Sequence, residues 1–384
     1  MAKQQLLNGD RAQALTSDRR IISVDVIRGL AMICIVRAKE LVQALSSMGK
    51  GGPTAIIAQQ LQHSAWEGFT FYDLMFPLFI FVVGISLVFS LDTVIATYGR
   101  KAALKRICYR TAILFLVGIL YNGGFDWQPI SSIRLMGVLQ RIALCYCFAG
   151  IIYCTCKLRT MIVLCCVFLF GYWLVMAFPS MNGVAPTSFQ EGANVADYFD
   201  RRFLLGSRWM DDHDPEGLLS TIPAVASCLL GVFAGVILKA NNNSKLKKVS
   251  HCAIIGVSAV VAGLCWSLAF PIIKELWTSS YVLVSGGLSF IVLAVFYWII
   301  DVLQYRRWSE PLVWVGRNAI AIYVASRIID IMKIARAFVG GDIKDFLNRV
   351  VSQGCGDLVV ALVALALTVL LGSFLYRKKI FITI

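Results

Sequence analysis

The chain holds only three histidines, and two of them stand among carboxylates. His63 lies in Leu61-Gln62-His63-Ser64-Ala65-Trp66-Glu67-Gly68, with Asp73 a little further on; His213 lies in Asp211-Asp212-His213-Asp214-Pro215-Glu216. Histidine changes charge near neutral pH, and an imidazole with an acid on one ring nitrogen can take a proton on the other. If the two segments meet at one membrane face, they make a base with an orienting acid, Asp73 or Asp214 with Glu216 for His63. A histidine beside a tryptophan at a membrane surface is, on its own, more often a simple anchor. His251 has no acidic neighbour in sequence and reads as structural. The chain has no G-x-x-x-x-G-K-[ST], G-x-G-x-x-G after a strand, G-x-S-x-G or H-E-x-x-H, so nucleotide-driven transport and the familiar soluble hydrolase chemistries lack support. Cys154-x-Cys156 has no partner histidine or cysteine at metal spacing, and no metal is expected.

The elements that carry these residues follow from composition. Of 384 residues, 58% are hydrophobic and 15% charged, and the mean hydropathy is +0.74. A soluble domain is about 45–50% apolar and about 25% charged, so the chain reads as an all-α polytopic membrane protein. Runs of roughly 20 apolar residues suggest about ten transmembrane helices, at 22–44, 68–90, 107–124, 133–155, 159–178, 217–239, 250–272, 279–303, 311–332 and 355–376. They form one membrane domain over 21–380, with a polar tail at 1–20 that resembles neither a signal peptide nor a lipidation site and a long loop at 179–216. In that loop Val195 to Leu205 reads as a short amphipathic helix on the membrane surface.

Lysines and arginines cluster in alternate loops, at Arg100, Lys101, Lys105, Arg106 and Arg110, at Lys157 and Arg159, and at Lys245, Lys247 and Lys248. The positive-inside rule then places both termini in the cytoplasm and His63 and His213 at the outer face of a cytoplasmic (inner) membrane. The net charge of +14 follows from this asymmetry and implies no nucleic-acid partner; the partner surface is the lipid bilayer.

Ionisable residues within spans are costly, about 2.5–3.5 kcal/mol each on insertion scales, and default to paired or functional roles. Asp25 and Arg28, Arg37 and Glu40, and Arg327 and Asp330 are spaced to pair on one helix face. Asp73, Arg141 and Arg317 have no local partner and need one from another helix or a ligand. Pro77, Pro223 and Pro271 can break helices at membrane depth, as cavity-lining helices often do.

Five segments in order resemble the heparan-α-glucosaminide N-acetyltransferase family and its bacterial relatives. They are Ser23-Val24-Asp25-Val26-Ile27-Arg28-Gly29; His63-Ser64-Ala65-Trp66-Glu67-Gly68 running into Asp73 and Phe76-Pro77; Gly137-Val138-Leu139-Gln140-Arg141; Asp214-Pro215-Glu216-Gly217; and Gly316-Arg317-Asn318-Ala319-Ile320. The resemblance covers about residues 20 to 380 and implies transmembrane acetylation. Acetyl-CoA on the cytoplasmic side would give its acetyl group to the amino group of a glucosamine-type acceptor on the outer side, and a homodimer is possible. His63 matches the family's catalytic histidine; it would deprotonate the amine for direct attack or carry the acetyl group itself. Asp214 or Asp73 would orient it. Arg28, Arg317 and Asn318, with Gln140 and Arg141 deeper, are the candidates for holding acetyl-CoA or its thioester oxygen. Lys39, Glu40, Trp66 and Glu216 are those for the acceptor. Lys39 stands where animal members carry a functional asparagine, and Ser326 falls at about the place of a later histidine. The other reading is an amino-sugar permease without CoA chemistry.

Overall fold

Inside hydrocarbon each backbone N–H and C=O must find its partner within the segment, so a long apolar run folds as a helix. A computed structural model describes residues 21–48, 52–123, 133–178, 188–210, 213–241 and 243–380. The expected tail at 1–20 lies outside these residues, as do Asp211, Asp212 and the 179–187 part of the long loop. The elements are α1 (Ile22–Ser47), α2 (Pro53–Gln60), α3 (Met75–Gly123), α4 (Val138–Thr155), α5 (Leu158–Ala177), α6 (Val195–Phe203), α7 (Thr221–Lys239), α8 (Lys245–Trp266), α9 (Ser279–Tyr297), α10 (Glu310–Arg317), α11 (Ala319–Ile328), α12 (Ile331–Val339), α13 (Asp342–Val350) and α14 (Cys355–Arg377). No strand is present among the described residues, only the isolated bridges Glu67–Ile273 and Arg134–Gly206. The chain is an all-helical polytopic membrane protein.

Seven helical segments among the described residues are long and apolar enough to cross a membrane. The about ten apolar segments read from sequence all fall on helices, but not on ten separate long ones. Segments 68–90 and 107–124 belong to the continuous stretch Tyr72–Gly123, which bends at Gly99. Gly99 has φ +80° and ψ 173°, a conformation that a residue with a Cβ rarely adopts. Segment 22–44 is a full-length helix, α1, but Asp25, Arg28, Arg37, Lys39 and Glu40 make it too polar to qualify on composition. Segment 311–332 breaks at Asn318 into α10 and α11.

The first half of α3 and α7 form the centre of the bundle, with 78% and 72% of their apolar windows buried, against 17% for α8. α8 therefore faces lipid. The centre is tight because glycines face backbones. A Cβ on Gly84 would lie 2.1 Å from the Cys228 carbonyl oxygen, and one on Gly316 would lie 1.9 Å from that of Asp25. Small residues let helices approach where lipid supplies no hydrophobic drive between them. The second contact locks α10 onto the start of α1, and Asp301 fixes that start further by accepting from the Ser23 N–H at 3.1 Å.

The amphipathic helix expected within 195–205 is present as α6. Asn194 caps it by accepting from the Asp197 N–H at 2.9 Å. Its inner face holds Asp197 and Asp200, both buried. Asp200 accepts from the Leu218 N–H at 2.9 Å and so ties α6 to the turn that starts α7.

Candidate functional site

His63 sits between α2 and α3, on a loop that the tight turn at Tyr72–Leu74 brings back towards it. Its Nδ1 lies 2.7 Å from Asp73 Oδ1. The Asp73 side chain is fully buried, whereas that of His63 is 44% exposed, so the acid is enclosed and the base is reachable. The other carboxylate oxygen, Oδ2, accepts from the backbone N–H groups of Ser64 and Thr70 at 3.2 and 3.1 Å. Tyr281 donates to the Asp73 carbonyl at 2.7 Å from α9 behind it. Asp73 is thus held from both sides, and the Tyr72 ring packs on the imidazole at 4.4 Å between centroids. An ionised carboxylate on Nδ1 makes that nitrogen the donor and leaves the lone pair on Nε2.

Lys274 completes this group. Its Nζ is 3.2 Å from both imidazole nitrogens and 3.3 Å from Glu275 Oε1. Glu275 Oε2 is buried and makes no hydrogen bond. Lys274 reaches His63 because its strand of chain is bonded to the histidine loop. The Gly68 N–H donates to the Ile272 carbonyl at 2.9 Å, and Glu67 bridges Ile273.

Asp214 and Glu216 make a second group. The structure does not bring Asp214 to His63. Both of its oxygens are taken by Arg134, at 2.9 Å from Nε and 2.6 Å from Nη2, and by the N–H groups of Trp209 and Glu216. Arg134 also binds Glu216 and lies 5.0 Å over the Trp209 ring. Trp66 meets the buried His213 edge-on at 5.4 Å and donates to the Phe189 carbonyl at 2.9 Å. Burial pushes the carboxyl of Asp200 up to about 7, with Asp214 and Asp197 adding to it against the Leu218 N–H and Arg141. Burial likewise pushes Asp197 up to about 6, opposed first by His213.

Arg141 is fully buried between these groups. It donates to the Gly217 carbonyl at 3.1 Å and to Ser220, and lies 4.9 Å over Trp277. Its Nε and Nη1 make no hydrogen bond, and neither amide atom of Gln140 does. Gln140 packs against Gly118 and Gly137. Arg141 and Gln140 line neither of the two cavities described next.

A cavity of about 180 Å³ lies deeper in the bundle, along the Phe79–Ser90 part of α3. Arg28, Arg110 and Arg317 line it with Ser86, Ser90 and Tyr146, over apolar walls of Phe79, Val83, Leu87, Leu114 and Ile142. Arg28 donates to Asp25 at 2.9 Å and to the Gly316 carbonyl at 3.4 Å, and also binds Ser86. Three arginine side chains over an apolar wall suit a polyanion with a flexible organic arm. A second space of about 10 Å³, no more than one water wide, continues from Phe79, Ile142 and Ile320 to Phe76 and Tyr323. Phe76 is one helical turn from Asp73. Asn318, at the α10–α11 break, has both amide atoms buried without partners.

The other candidates sit apart from His63 in the contacts described. Glu40 pairs with Arg37 at 3.2 Å, and Arg37 donates to Thr368 at 2.8 Å. Lys39 is exposed on α1, and the cation that touches His63 is Lys274. Sequence reasoning missed Lys274, Glu275 and Arg134. Nothing in their local sequence pairs them with His63 or Asp214. No group of three metal ligands occurs among the described residues.

These features define a polytopic helical membrane protein with a base–acid pair at one end and a cationic cavity deeper in the bundle. The family model described as the catalytic part of heparan-alpha-glucosaminide N-acetyltransferase matches residues 20–275, and the chain belongs to that family. The match takes in His63, Asp73, Arg134, Asp214 and Lys274. Among curated proteins, the chain is similar to the heparan-alpha-glucosaminide N-acetyltransferase of Homo sapiens, 28% identical over 418 aligned positions that cover 94% of this chain and 59% of that protein. It is also similar to that of Mus musculus, 27% identical, covering 95% of this chain and 61% of that protein. The chain spans about three fifths of the length of these relatives.

Proposed function

We propose that the protein is a transmembrane acetyltransferase. It takes acetyl from acetyl-CoA at the cavity end and delivers it to the amino group of a glucosamine-type sugar at the His63 end. The supporting observation is that a carboxylate-held histidine lies at one end of the bundle and an arginine-lined cavity deeper within it, with a narrow gap that shares Phe79, Ile142 and Ile320 with the cavity and reaches Phe76, one turn from Asp73. The names of the relatives support the acceptor class. The distribution of lysine and arginine supports a cytoplasmic cavity end, cytoplasmic termini and an outward-facing histidine in the inner membrane.

Arg28, Arg110 and Arg317 bind the phosphates of the donor, and the apolar wall takes its pantetheine arm. An amine attacks a thioester only as the free base. His63 Nε2 removes the proton as the nitrogen attacks, and Asp73 holds the ring in the tautomer that makes Nε2 the acceptor. The acetyl group passes directly to the amine. For the arm to reach His63, the gap at Phe76 and Tyr323, one water wide, must widen.

The test uses proteoliposomes with acetyl-CoA facing the cavity end and glucosamine the other. N-acetylglucosamine should accumulate with one equivalent of CoA released. Uptake of unmodified sugar with no CoA release would overturn the proposal in favour of a permease.

A further inference from the structure

We infer that Lys274 is a catalytic residue, whose ammonium donates to the acetyl carbonyl oxygen as that oxygen gains negative charge. This rests on the reading of His63 as the base for acetyl transfer.

The geometry limits what Lys274 can do where it sits. Nζ is 3.2 Å from both imidazole nitrogens, so it lies over the ring face and leaves the in-plane lone pair of Nε2 open to a substrate proton, while Nδ1 is committed to Asp73. Lys274 forms no ion pair with Asp73, whose Oδ1 faces Nδ1 and whose Oδ2 accepts from two backbone N–H groups. Glu275 Oε1 accepts one ammonium proton. An ammonium has three donors, and one remains for a ligand. The Lys274 side chain is only 12% exposed, so its charge acts with less screening than on an open surface.

The backbone around Lys274 is fixed as well. The Trp277 N–H donates to the Lys274 carbonyl at 2.9 Å, and the Thr278 N–H to that of Ile273 at 3.2 Å. Trp277, fully buried, holds a φ of +53° that is costly for a bulky side chain. Packing enforces this turn, and the turn aims Lys274 at the histidine.

The chemistry needs a cation at this point. The amine lone pair forms the N–C bond, and the C=O π pair moves onto oxygen. The amine proton goes to His63 Nε2. On collapse the C=O bond re-forms and the C–S bond breaks. Sulfur leaves with the electron pair and takes the proton from Nε2. The charged oxygen is one bond angle from the nitrogen that hands its proton to Nε2, so a donor beside Nε2 reaches it. The oxygen carries more negative charge in the transition state than in the bound thioester, so the same ammonium N–H donates to it more strongly there than to the bound substrates.

The experiment compares the wild-type full chain with Lys274→Met, Lys274→Arg and His63→Ala. Two quantities are read: steady-state transfer, and binding of a bisubstrate analogue in which an anionic tetrahedral phosphonate replaces the acetyl carbonyl between CoA and glucosamine. Lys274→Met should lower kcat by about 10²–10³-fold, with both KM values changed little, and weaken the analogue by a similar factor while CoA alone binds as before. Lys274→Arg should recover part of both losses. Unchanged kcat and unchanged analogue affinity in Lys274→Met would overturn the inference. So would a loss of CoA binding that matches the loss of rate, since that marks a structural defect. If His63→Ala keeps its activity, the reading of His63 fails and this inference with it. If His63→Ala is inactive while Lys274→Met is fully active, only the role of Lys274 fails.

Discussion

The two ends of the bundle handle charge in opposite ways. At the His63 end each carboxylate that orients something is saturated with partners. Asp73 meets His63 and two backbone N–H groups, and Asp214 meets Arg134 and two more. At the cavity three arginines border open volume, over a wall of aliphatic and aromatic side chains. Proton transfer needs groups fixed to within a fraction of an ångström. Binding a long, flexible polyanion needs positive charge and room. The difference therefore separates a place for chemistry from a place for binding, and substitutions at the two ends should divide between kcat and donor affinity.

The largest expected effect lies at the chemical end. Asp73→Asn offers the imidazole an amide and releases the constraint on its tautomer. Acetyl transfer should fall by about 10²–10⁴-fold, while the acetyl-CoA dissociation constant measured by calorimetry stays within about threefold. A matching fall in affinity would break the separation between the ends.

Next in size is a change in stability. Arg134→Met leaves the Asp214 side chain, fully buried, without its cation. Removing one partner of a buried pair costs about 3–5 kcal/mol, so thermal unfolding in detergent should shift clearly downwards. Arg134→Met with Asp214→Asn should recover a large part of the loss. If the double variant melts no higher than the single one, Arg134 acts through packing on Trp209 and not through charge.

At the binding end the effect should be smaller and of the other kind. Arg28→Ala removes one charge-assisted donor, a contribution of about 1.5–3 kcal/mol. Acetyl-CoA should bind about 10–100-fold more weakly, with kcat at saturating donor nearly unchanged. A fall in kcat at saturation would show that Arg28 also positions the reacting group, and the contrast between the ends would narrow.

How far sequence alone could anticipate this contrast depends on the range of each interaction. Asp25 with Arg28 and Arg37 with Glu40 are one helical turn apart, and both pairs form as expected, whereas Arg327 and Asp330 do not pair, because α11 ends at Ile328 and Asp330 caps α12 by accepting from the Lys333 N–H. The ring His63–Asp73 closes over a short loop, so the pair was among the readable options. The choice between Asp73 and Asp214 was not readable. It turned on Arg134, whose contacts with Asp214 and Glu216 cross about 80 residues of chain. Lys274 was hidden for the same reason, since 211 residues separate it from His63. The count of spans was obscured by a different cause. Hydropathy counts apolar length, whereas Arg28 and Arg37 of α1 bond to groups on α10 and α14 and the α10–α11 pair breaks at Asn318.

The smallest expected effect sharpens the contrast at the His63 end, through the two acids on the inner face of α6. Folded Asp200 and Asp197 hold their protons to about pH 7 and about pH 6, against about 3.9 in an unfolded chain. Between about pH 4 and pH 7 the folded state therefore binds more protons than the unfolded one, and stability falls as pH rises through that window. Below about pH 4 both states are protonated and the dependence vanishes. The melting temperature should be higher at pH 5 than at pH 7.5. Asp200→Asn keeps an oxygen for the Leu218 N–H but carries no charge to bury. It should raise the melting temperature at pH 7.5 and flatten the profile between these two values. A profile as steep as that of the wild type would assign the dependence to Asp197 and His213, and would leave Asp200 as a hydrogen-bond acceptor alone.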